Sequence, residues 1–405
     1  MNNAVAVVGG GAAGLFAAIA AASRGAQVTL FEASEEVGKP IRATGNGRCN
    51  LSNADIMASD YNQPAFVQEA FNAVSPEDIL FEFSDMGLLI CNEEAGRIYP
   101  YSNKATTVVD ILLQEARENG VDMRPSTPVK AVAPVDDRWA LETMAGDSYT
   151  FDSVIVAAGG APAKGLVPGD LPFVKTHPVL AALRTETGLI EGLNGTRVRV
   201  RLYTDHDPEV LRDAWMDIQE PKTGYEGDNC EEFGEILFRD YGISGIAAFD
   251  MSRHVKTGDM VFIDFLPDMD PQDKVDFIYG QAMDHPSRTA EDIMAGMLPR
   301  DVARAIVKAA GLNPDEPILA EQEAVVLAMV SESFGLVVKG VEAKTAQVTR
   351  GGYAIDAVSP RTMECYKYPG LYLTGEMLDI DGRCGGYNLH WAWTSGMLAG
   401  TDAAL

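Results

Sequence analysis

Three glycines near the amino terminus have the spacing of a phosphate-binding turn. In Val7-Val8-Gly9-Gly10-Gly11-Ala12-Ala13-Gly14 they fill the glycine positions of G-x-G-x-x-G, and each has a mechanical reason to lack a side chain. Gly9 permits a tight turn, Gly11 lets backbone approach a pyrophosphate, and Gly14 lets the following helix pack on the strand. The helix start at Ala12 and Ala13 offers unpaired N–H groups and a positive dipole end to phosphates. Glu32 stands 18 residues past Gly14, at the end of the next strand, where a carboxylate accepts ribose hydroxyls and repels a 2′-phosphate. The pattern predicts FAD or NAD rather than NADP, with Ala33 and Lys39 on the nucleotide side just beyond Glu32.

Two further segments decide between those nucleotides. Asp152-Ser153-Val154-Ile155-Val156-Ala157-Ala158-Gly159-Gly160 resembles the second fingerprint of two-domain flavoproteins, in which a strand passes beneath the cofactor; this sets Ala157, Ala158 and Gly159 against it. Leu371-Tyr372-Leu373-Thr374-Gly375-Glu376 resembles their third, with Gly375 and the acidic Glu376 placed for the ribityl chain. Three fingerprints in this order point to FAD, and the sequence holds no second G-x-G-x-x-G.

Two glycine-rich loops add candidate chemistry. In Gly45-Asn46-Gly47-Arg48-Cys49-Asn50 the glycines free the backbone to lie against flavin or pyrophosphate. Arg48 is a fixed cation for a phosphate or an anionic flavin, or else one half of an ion pair. Cys49 reads as a packed small side chain, since no neighbour lowers its pKa. At Gly385-Gly386-Tyr387-Asn388-Leu389 a helix begins, and its N–H groups would stabilise negative charge developing at the flavin N1–O2 edge on reduction. Asn388 is its N-cap or a direct hydrogen-bond donor. Tyr387 is a proton donor to substrate or an aromatic wall. Arg48 and Tyr387 are thus the candidate catalytic residues, while Trp391 and Trp393 read as core.

The stretches Ala43-Thr44-Gly45-Asn46-Gly47-Arg48-Cys49-Asn50-Leu51-Ser52-Asn53 and Gly375 to Gly396, with its Gly385-Gly386-Tyr387-Asn388-Leu389-His390-Trp391, carry a family likeness. Ala95-Gly96-Arg97-Ile98-Tyr99-Pro100, Gly234-Glu235-Ile236-Leu237-Phe238, Tyr241-Gly242-Ile243-Ser244-Gly245, residues 346–352 and Pro360-Arg361-Thr362-Met363-Glu364 extend it over nearly the whole chain. Together they resemble the BaiN-like, or aminoacetone-oxidase-like, family of bacterial FAD-dependent oxidoreductases. The resemblance implies an α/β protein: a Rossmann-like FAD-binding domain of the two-dinucleotide-binding-domain flavoprotein type, interrupted by a β-barrel plus helical insert. His390 stands where that family commonly has Gln, and the glycine-rich stretch after the second fingerprint is shortened to residues 161–170.

The elements that must position these residues follow from hydrophobic period. Residues 4–8, 27–31, 151–157 and 371–374 read as apolar strands, and 12–24, 76–86, 106–119 and 388–399 as helices. Residues 198–203 alternate with period two, which predicts a half-solvated strand with Arg199 and Arg201 on its wet face; 235–238 and 260–265 are further strands. Residues 273–311 read as helices broken at Pro286 and Pro299. The domain plan is 1–172 for the first part of the FAD domain, 173–344 for the insert and 345–405 for the last part.

Charge and cysteine usage narrow the function. With 59 Asp+Glu against 32 Lys+Arg the net charge is -27, which opposes nucleic acid and anionic membranes as partners. The five cysteines lack any C-x-x-C pair, so neither a disulfide framework nor a metal site is expected. No secretory signal is visible, and the chain reads as cytoplasmic. The expected function is FAD-dependent hydride transfer to or from a small apolar organic substrate, which by resemblance is an enone, steroid or bile-acid-like compound. NADH or NADPH is a possible electron donor, as is a donor protein. An aminoacetone-type amine oxidase using O2 and an FAD-binding scaffold or sensor are the alternatives; an RNA-modifying flavoprotein is opposed by the charge.

Overall fold

The computed structural model describes residues 3–160, 165–204 and 230–405. The expected shortened loop at 161–170 therefore has its first four residues outside the described ones. The chain divides into two compact units, Met1–His177 with Val348–Leu405, and Pro178–Gln347.

The first unit is built on a parallel sheet in the spatial order Leu371–Leu373, Ser153–Val156, Ala4–Val8, Gln27–Phe31, Asp122–Arg124. Its central strands are short apolar runs buried on both faces, as a sheet covered by helices requires. The helix Ala12–Ala22 is so enclosed that ten of its residues are buried, and its alanines leave room for close neighbours. The helix Tyr387–Ala403 uses that room. A Cβ at Gly396 would lie 2.3 Å from the Ala13 carbonyl oxygen, and one at Gly400 would lie 2.2 Å from that of Ala17. Two glycines one turn apart thus lay the last helix backbone to backbone on the first. A small antiparallel sheet of Ser52–Asn53, Arg97–Pro100 and Ile90–Asn92 follows the 44–50 loop and ties it down.

The second unit is a closed six-stranded antiparallel barrel: Leu183–Thr185, Gly242–Ser244, Glu231–Arg239, Arg197–Tyr203, Met260–Asp264 and Phe334–Val341 in spatial order. Val200 and Leu202, Ile236 and Phe238, and Val261 and Ile263 supply its buried side chains. Prolines punctuate the helices as the sequence predicts: Pro271–Asp284, Ala290–Met294 and Arg300–Ala309 are separated at Pro286 and Pro299. The helix Glu321–Glu332 then leads into the last barrel strand.

One expectation for this unit needs correction. Arg199 is exposed, but Arg201, on the same face, is only partly exposed and is drawn into an ion cluster. Its guanidinium Nη2 lies 3.1 Å from Oδ2 of the buried Asp264. The other oxygen of Asp264 accepts from Lys274, itself 1% exposed, at 3.3 Å, and Lys274 also reaches Glu332 at 3.4 Å. The period-two pattern locates the strand face correctly, but it carries no information about a partner 63 residues away. This ion cluster joins the barrel to the Pro271–Asp284 and Glu321–Glu332 helices. Replacing Lys274 with Ala leaves the buried Asp264 with only the partly exposed Arg201 as counter-charge and should cost up to about 3–5 kcal/mol. Denaturant unfolding followed in the insert measures it; a loss below about 1 kcal/mol would show the cluster to be incidental.

Candidate functional site

The carboxyl ends of the parallel strands are knitted together by backbone bonds. Gly9 N–H donates to Phe31 O at 2.8 Å, Ala157 N–H to Val8 O at 2.8 Å, and Thr374 N–H to Val156 O at 3.1 Å. The three fingerprint loops thus leave the sheet side by side, at the edge where ligands of open α/β sheets bind. The glycines of the first turn divide into two kinds. Gly9, at φ 103°, could carry no Cβ, which would lie 2.4 Å from Ala157 O; a Cβ on Gly14 would lie 1.8 Å from Gly9 O. Those two serve internal packing. A Cβ on Gly11 would have none of the described residues within 4 Å, so Gly11 leaves open space beside the turn.

Glu32 is buried at the end of the second strand. Its Oε2 accepts from Gly10 N–H and its Oε1 from Ser34 N–H, each at 2.7 Å. These bonds fix the carboxylate against the first turn and leave each oxygen a lone pair for a ribose hydroxyl. Ala33 is exposed beside it, and Lys39 is exposed at the start of the short helix Lys39–Ala43.

In the 44–50 loop, Gly45, Asn46 and Cys49 all adopt left-handed backbone conformations. Cys49 is fully buried, and burial pushes its thiol up to about 12 against a weaker opposing bond with Thr44. It is thus a neutral packed side chain. Arg48 takes the ion-pair arrangement: it bonds Glu93 and Asn103, and its guanidinium lies 4.0 Å from the centroid of the Tyr99 ring. Its hydrogen bond with Glu93 holds its pKa above the usual arginine value. Asn50 is buried, with no partner for its Oδ1 among the described residues. A buried orphaned acceptor invites an external donor.

The third loop meets the first: a Cβ on Gly375 would lie 3.1 Å from the Cβ of Ala13. Gly375 is held by the Ser395 hydroxyl at 2.9 Å and the Trp391 indole at 3.2 Å. Glu376 Oε1 accepts from Thr349 N–H at 2.6 Å; burial raises its carboxyl pKa, against backbone bonds from Thr349 and Gly160. The second loop runs through Ala157 and Ala158 to Gly159, where a Cβ would also meet none of the described residues.

At the last helix the expected N-cap for Asn388 is corrected. Gly386, at φ 106°, is the N-cap, and a Cβ there would lie 2.2 Å from Ser52 O. Asn388 instead folds back on the preceding loop: its Oδ1 accepts from Gly382 N–H at 2.8 Å and its Nδ2 donates to Gly382 O at 3.0 Å and Arg383 O at 3.2 Å. The N–H groups of the first turn, from Tyr387 to Leu389, have no intrahelical partners. Tyr387 is half-buried, its carbonyl accepting from the Tyr61 hydroxyl at 2.8 Å and its ring edge-on to that of Tyr61. Trp391 and Trp393 are core, and Trp393 donates to Leu51 O at 3.1 Å.

Sequence reasoning missed the residues that hold these loops. Asn53 donates to Ala95 O at 2.9 Å and Gly385 O at 3.3 Å, tying the small sheet to the last helix. Arg350 makes a two-pronged pair with the fully buried Asp381, at 2.6 and 2.8 Å. Both lie inside recognised motifs, but a motif does not say which side chains in it meet. His390 is fully buried with Nδ1 2.9 Å from the Ser52 hydroxyl, and burial pushes its pKa down to about 3.

A family model, the HI0933-like protein Rossmann domain, matches residues 3–402, and the chain belongs to that family. It is an FAD-dependent oxidoreductase. A 3-dehydro-bile acid delta(4,6)-reductase of Clostridium scindens is 32% identical, over 99% of each chain. A ribosomal RNA dihydrouridine synthase of Escherichia coli is 28% identical, over 98% of this chain and 96% of that one. A solved 3-ketosteroid-delta4-(5alpha)-dehydrogenase of Rhodococcus jostii RHA1 aligns over 99% of this chain and 96% of its own, at 14% identity and a TM-score of 0.46. Among the described residues no helix is long and apolar enough to cross a membrane.

The residues present fit FAD: among the described residues there is space at Gly11 and an unpaired acceptor on Asn50, and two helices begin at these loops. Replacing Glu32 with Gln should weaken FAD binding to the apoprotein by about 1.5–3 kcal/mol, the worth of a bond to a charged acceptor; unchanged affinity in a fluorescence titration would mean that Glu32 only braces the turn. His390 yields a second expectation. The unfolded chain takes up a proton near the ordinary value of 6.5 while the folded protein resists to about 3. The neutral ring therefore favours folding above pH 6.5, and that contribution is lost as pH falls from 6.5 toward 3. In the His390→Gln protein the unfolding free energy should fall less steeply across that window, by up to about 1.4 kcal/mol per pH unit. Identical slopes for the two proteins would contradict a neutral buried ring.

Proposed function

We propose that the protein adds a hydride and a proton across the carbon–carbon double bond of a small, apolar, conjugated carbonyl compound of the enone or steroid class. The observation that carries this reading is the similarity, end to end and through both units, to an enzyme named as a bile acid delta(4,6)-reductase. The packed thiols support it: burial pushes Cys49 and Cys365 up to about 12, which leaves neither available as a thiolate relay near neutral pH.

FAD, when bound, supplies the hydride chemistry. The chain's own residues orient and polarise it. Gly11 with the N–H groups at Ala12 and Ala13 would receive the pyrophosphate, and Glu32 the ribose. Ala157 to Gly159 and Gly375 to Glu376 would flank the cofactor. The first-turn N–H groups at Tyr387 to Leu389 would face the edge where negative charge develops. Gly45, Gly47 and the Asn50 amide would line the other loop. Lys39 and Ala33 would stand at the nucleotide end. Arg48, braced by Glu93, contributes a fixed positive field, and Tyr387 is the candidate proton donor or aromatic wall.

A second reading has its own support, because relatives at 28% and 27% identity are named ribosomal RNA dihydrouridine synthases. The uracil ring holds the same conjugated carbonyl unit, so the bond chemistry would be shared and the substrate would differ. The net charge of -27 favours the small molecule, since an RNA phosphate backbone is repelled. The single G-x-G-x-x-G is taken by FAD, so a nicotinamide donor would dock without a Rossmann unit of its own. Its reduction of the flavin is then slow, with NADH no worse than NADPH, and a donor protein is the alternative source.

Anaerobic mixing of the photoreduced protein with a 3-oxo-Δ4 steroid, and separately with unmodified ribosomal RNA, tests the reading. The steroid should reoxidise the flavin and emerge saturated at the conjugated bond. Reoxidation by the RNA alone, with dihydrouridine formed, would transfer the proposal to the second substrate. Turnover only with amines and O2, releasing peroxide, would make it an oxidase; a flavin inert to every partner would leave a scaffold.

A further inference from the structure

We infer that Cys230, Glu232 and His254 in the barrel unit form a binding site for a divalent transition-metal ion, with zinc best matched to the donors. Their candidate ligand atoms all lie within 4.8 Å of one another. The strand Glu231–Arg239 provides Glu232, and Cys230 immediately precedes it. Cys230 extends its ladder, with Thr204 N–H donating to Cys230 O at 3.0 Å and Cys230 N–H to the Thr204 hydroxyl at 3.1 Å. In extended backbone, residues two apart project to the same face, so Cys230 and Glu232 point together. His254 arrives from the turn after the helix Ile246–Met251, fixed by its N–H bond to Met251 O at 3.0 Å. No two of the three elements need be remodelled to share an ion.

The geometry and the donor chemistry agree. In a tetrahedral zinc site with bonds of about 2.0–2.3 Å, ligand atoms stand roughly 3.3–3.8 Å apart. His254 Nε2 and Glu232 Oε1 are already 3.6 Å apart. The wider spacing within the trio closes by about 1 Å, within reach of side-chain rotation alone. A sulfur, a nitrogen and an oxygen form a mixed set that suits zinc or cobalt and does not suit calcium or magnesium, which take oxygen donors. Three protein ligands leave the fourth position to water. On binding, the Cys230 thiol gives its proton to solvent, and the thiolate and carboxylate balance the two charges of the ion. Glu232 is nearly buried, at 6% side-chain exposure. The plain alternative is an ion pair of Glu232 with His254 alone. Cysteine spacing could not reveal such a site, because it draws on a single cysteine.

The test uses the FAD-loaded protein, stripped with a chelator and titrated with Co2+. The expected result is one equivalent bound, with thiolate-to-metal charge transfer and tetrahedral d–d bands at wavelengths beyond the flavin absorption, and displacement by Zn2+. Cys230→Ser should abolish the charge-transfer band, and His254→Ala should weaken Co2+ binding by more than about tenfold. Glu232→Gln, which keeps the buried shape, should do likewise and covers the case in which another variant folds poorly. Wild-type protein that takes up no stoichiometric Co2+ or Zn2+, or a Cys230→Ser protein that binds as wild type does, would overturn the inference in favour of the ion pair.

Discussion

Contact between bare backbones is the constraint on which the flavin unit depends. Gly14 faces the Gly9 carbonyl, Gly9 faces the Ala157 carbonyl, Gly386 faces Ser52, and Gly396 and Gly400 face Ala13 and Ala17; each separation would be under 2.5 Å to an added Cβ. Because no side chain intervenes, the three loops leaving the sheet and the first turn of the last helix approach closely enough to share one ligand. The same closeness puts two helix starts at the site, and with them the positive ends of two helix dipoles. The positive field at the site thus comes mainly from backbone, which suits a chain as acidic as this one. Arg48, the candidate cation of the 44–50 loop, is partly balanced by its pair with Glu93.

Around that backbone frame the polar side chains act largely as braces. Glu32 holds the first turn through two N–H bonds, Asn388 holds the loop before it, and Asn53 and the Arg350–Asp381 pair hold the flanking segments. The exceptions are informative. Asn50 has a buried acceptor without a partner among the described residues, and Gly11 has empty space where a side chain could stand. The orphaned acceptor is a cost to the chain alone that a bound nucleotide would offset, and the open space gives that nucleotide room.

The legible part of the sequence was that in which function is written in local spacing. Gly9, Gly11 and Gly14, followed by Glu32, predict a strand–turn–helix–strand unit because each glycine's role is set within a few residues. The alternation at 198–203 predicts a strand for the same reason, and Pro286 and Pro299 mark helix ends. What could not be read is pairing over distance. Arg48 meets Glu93 and Asn103, Arg201 meets Asp264, and Asn388 folds back on Gly382 instead of capping its helix; each outcome depends on which loop the fold brings near. Cys230, Glu232 and His254 illustrate the same limit, being close in space with nothing in their spacing to announce it.

The central claim is that the space beside Gly11 belongs to the pyrophosphate of FAD. It is tested most directly by Gly11→Val, because Gly11 has φ -81° and ψ -162°, extended backbone open to residues other than glycine, and its Cβ would touch none of the described residues. Flavin released by denaturing the purified protein is identified and counted against protein. The account predicts close to one FAD per wild-type chain, and a Gly11→Val protein that unfolds with the stability of the wild-type apoprotein but carries little or none. A Gly11→Val protein that still holds stoichiometric FAD would contradict it.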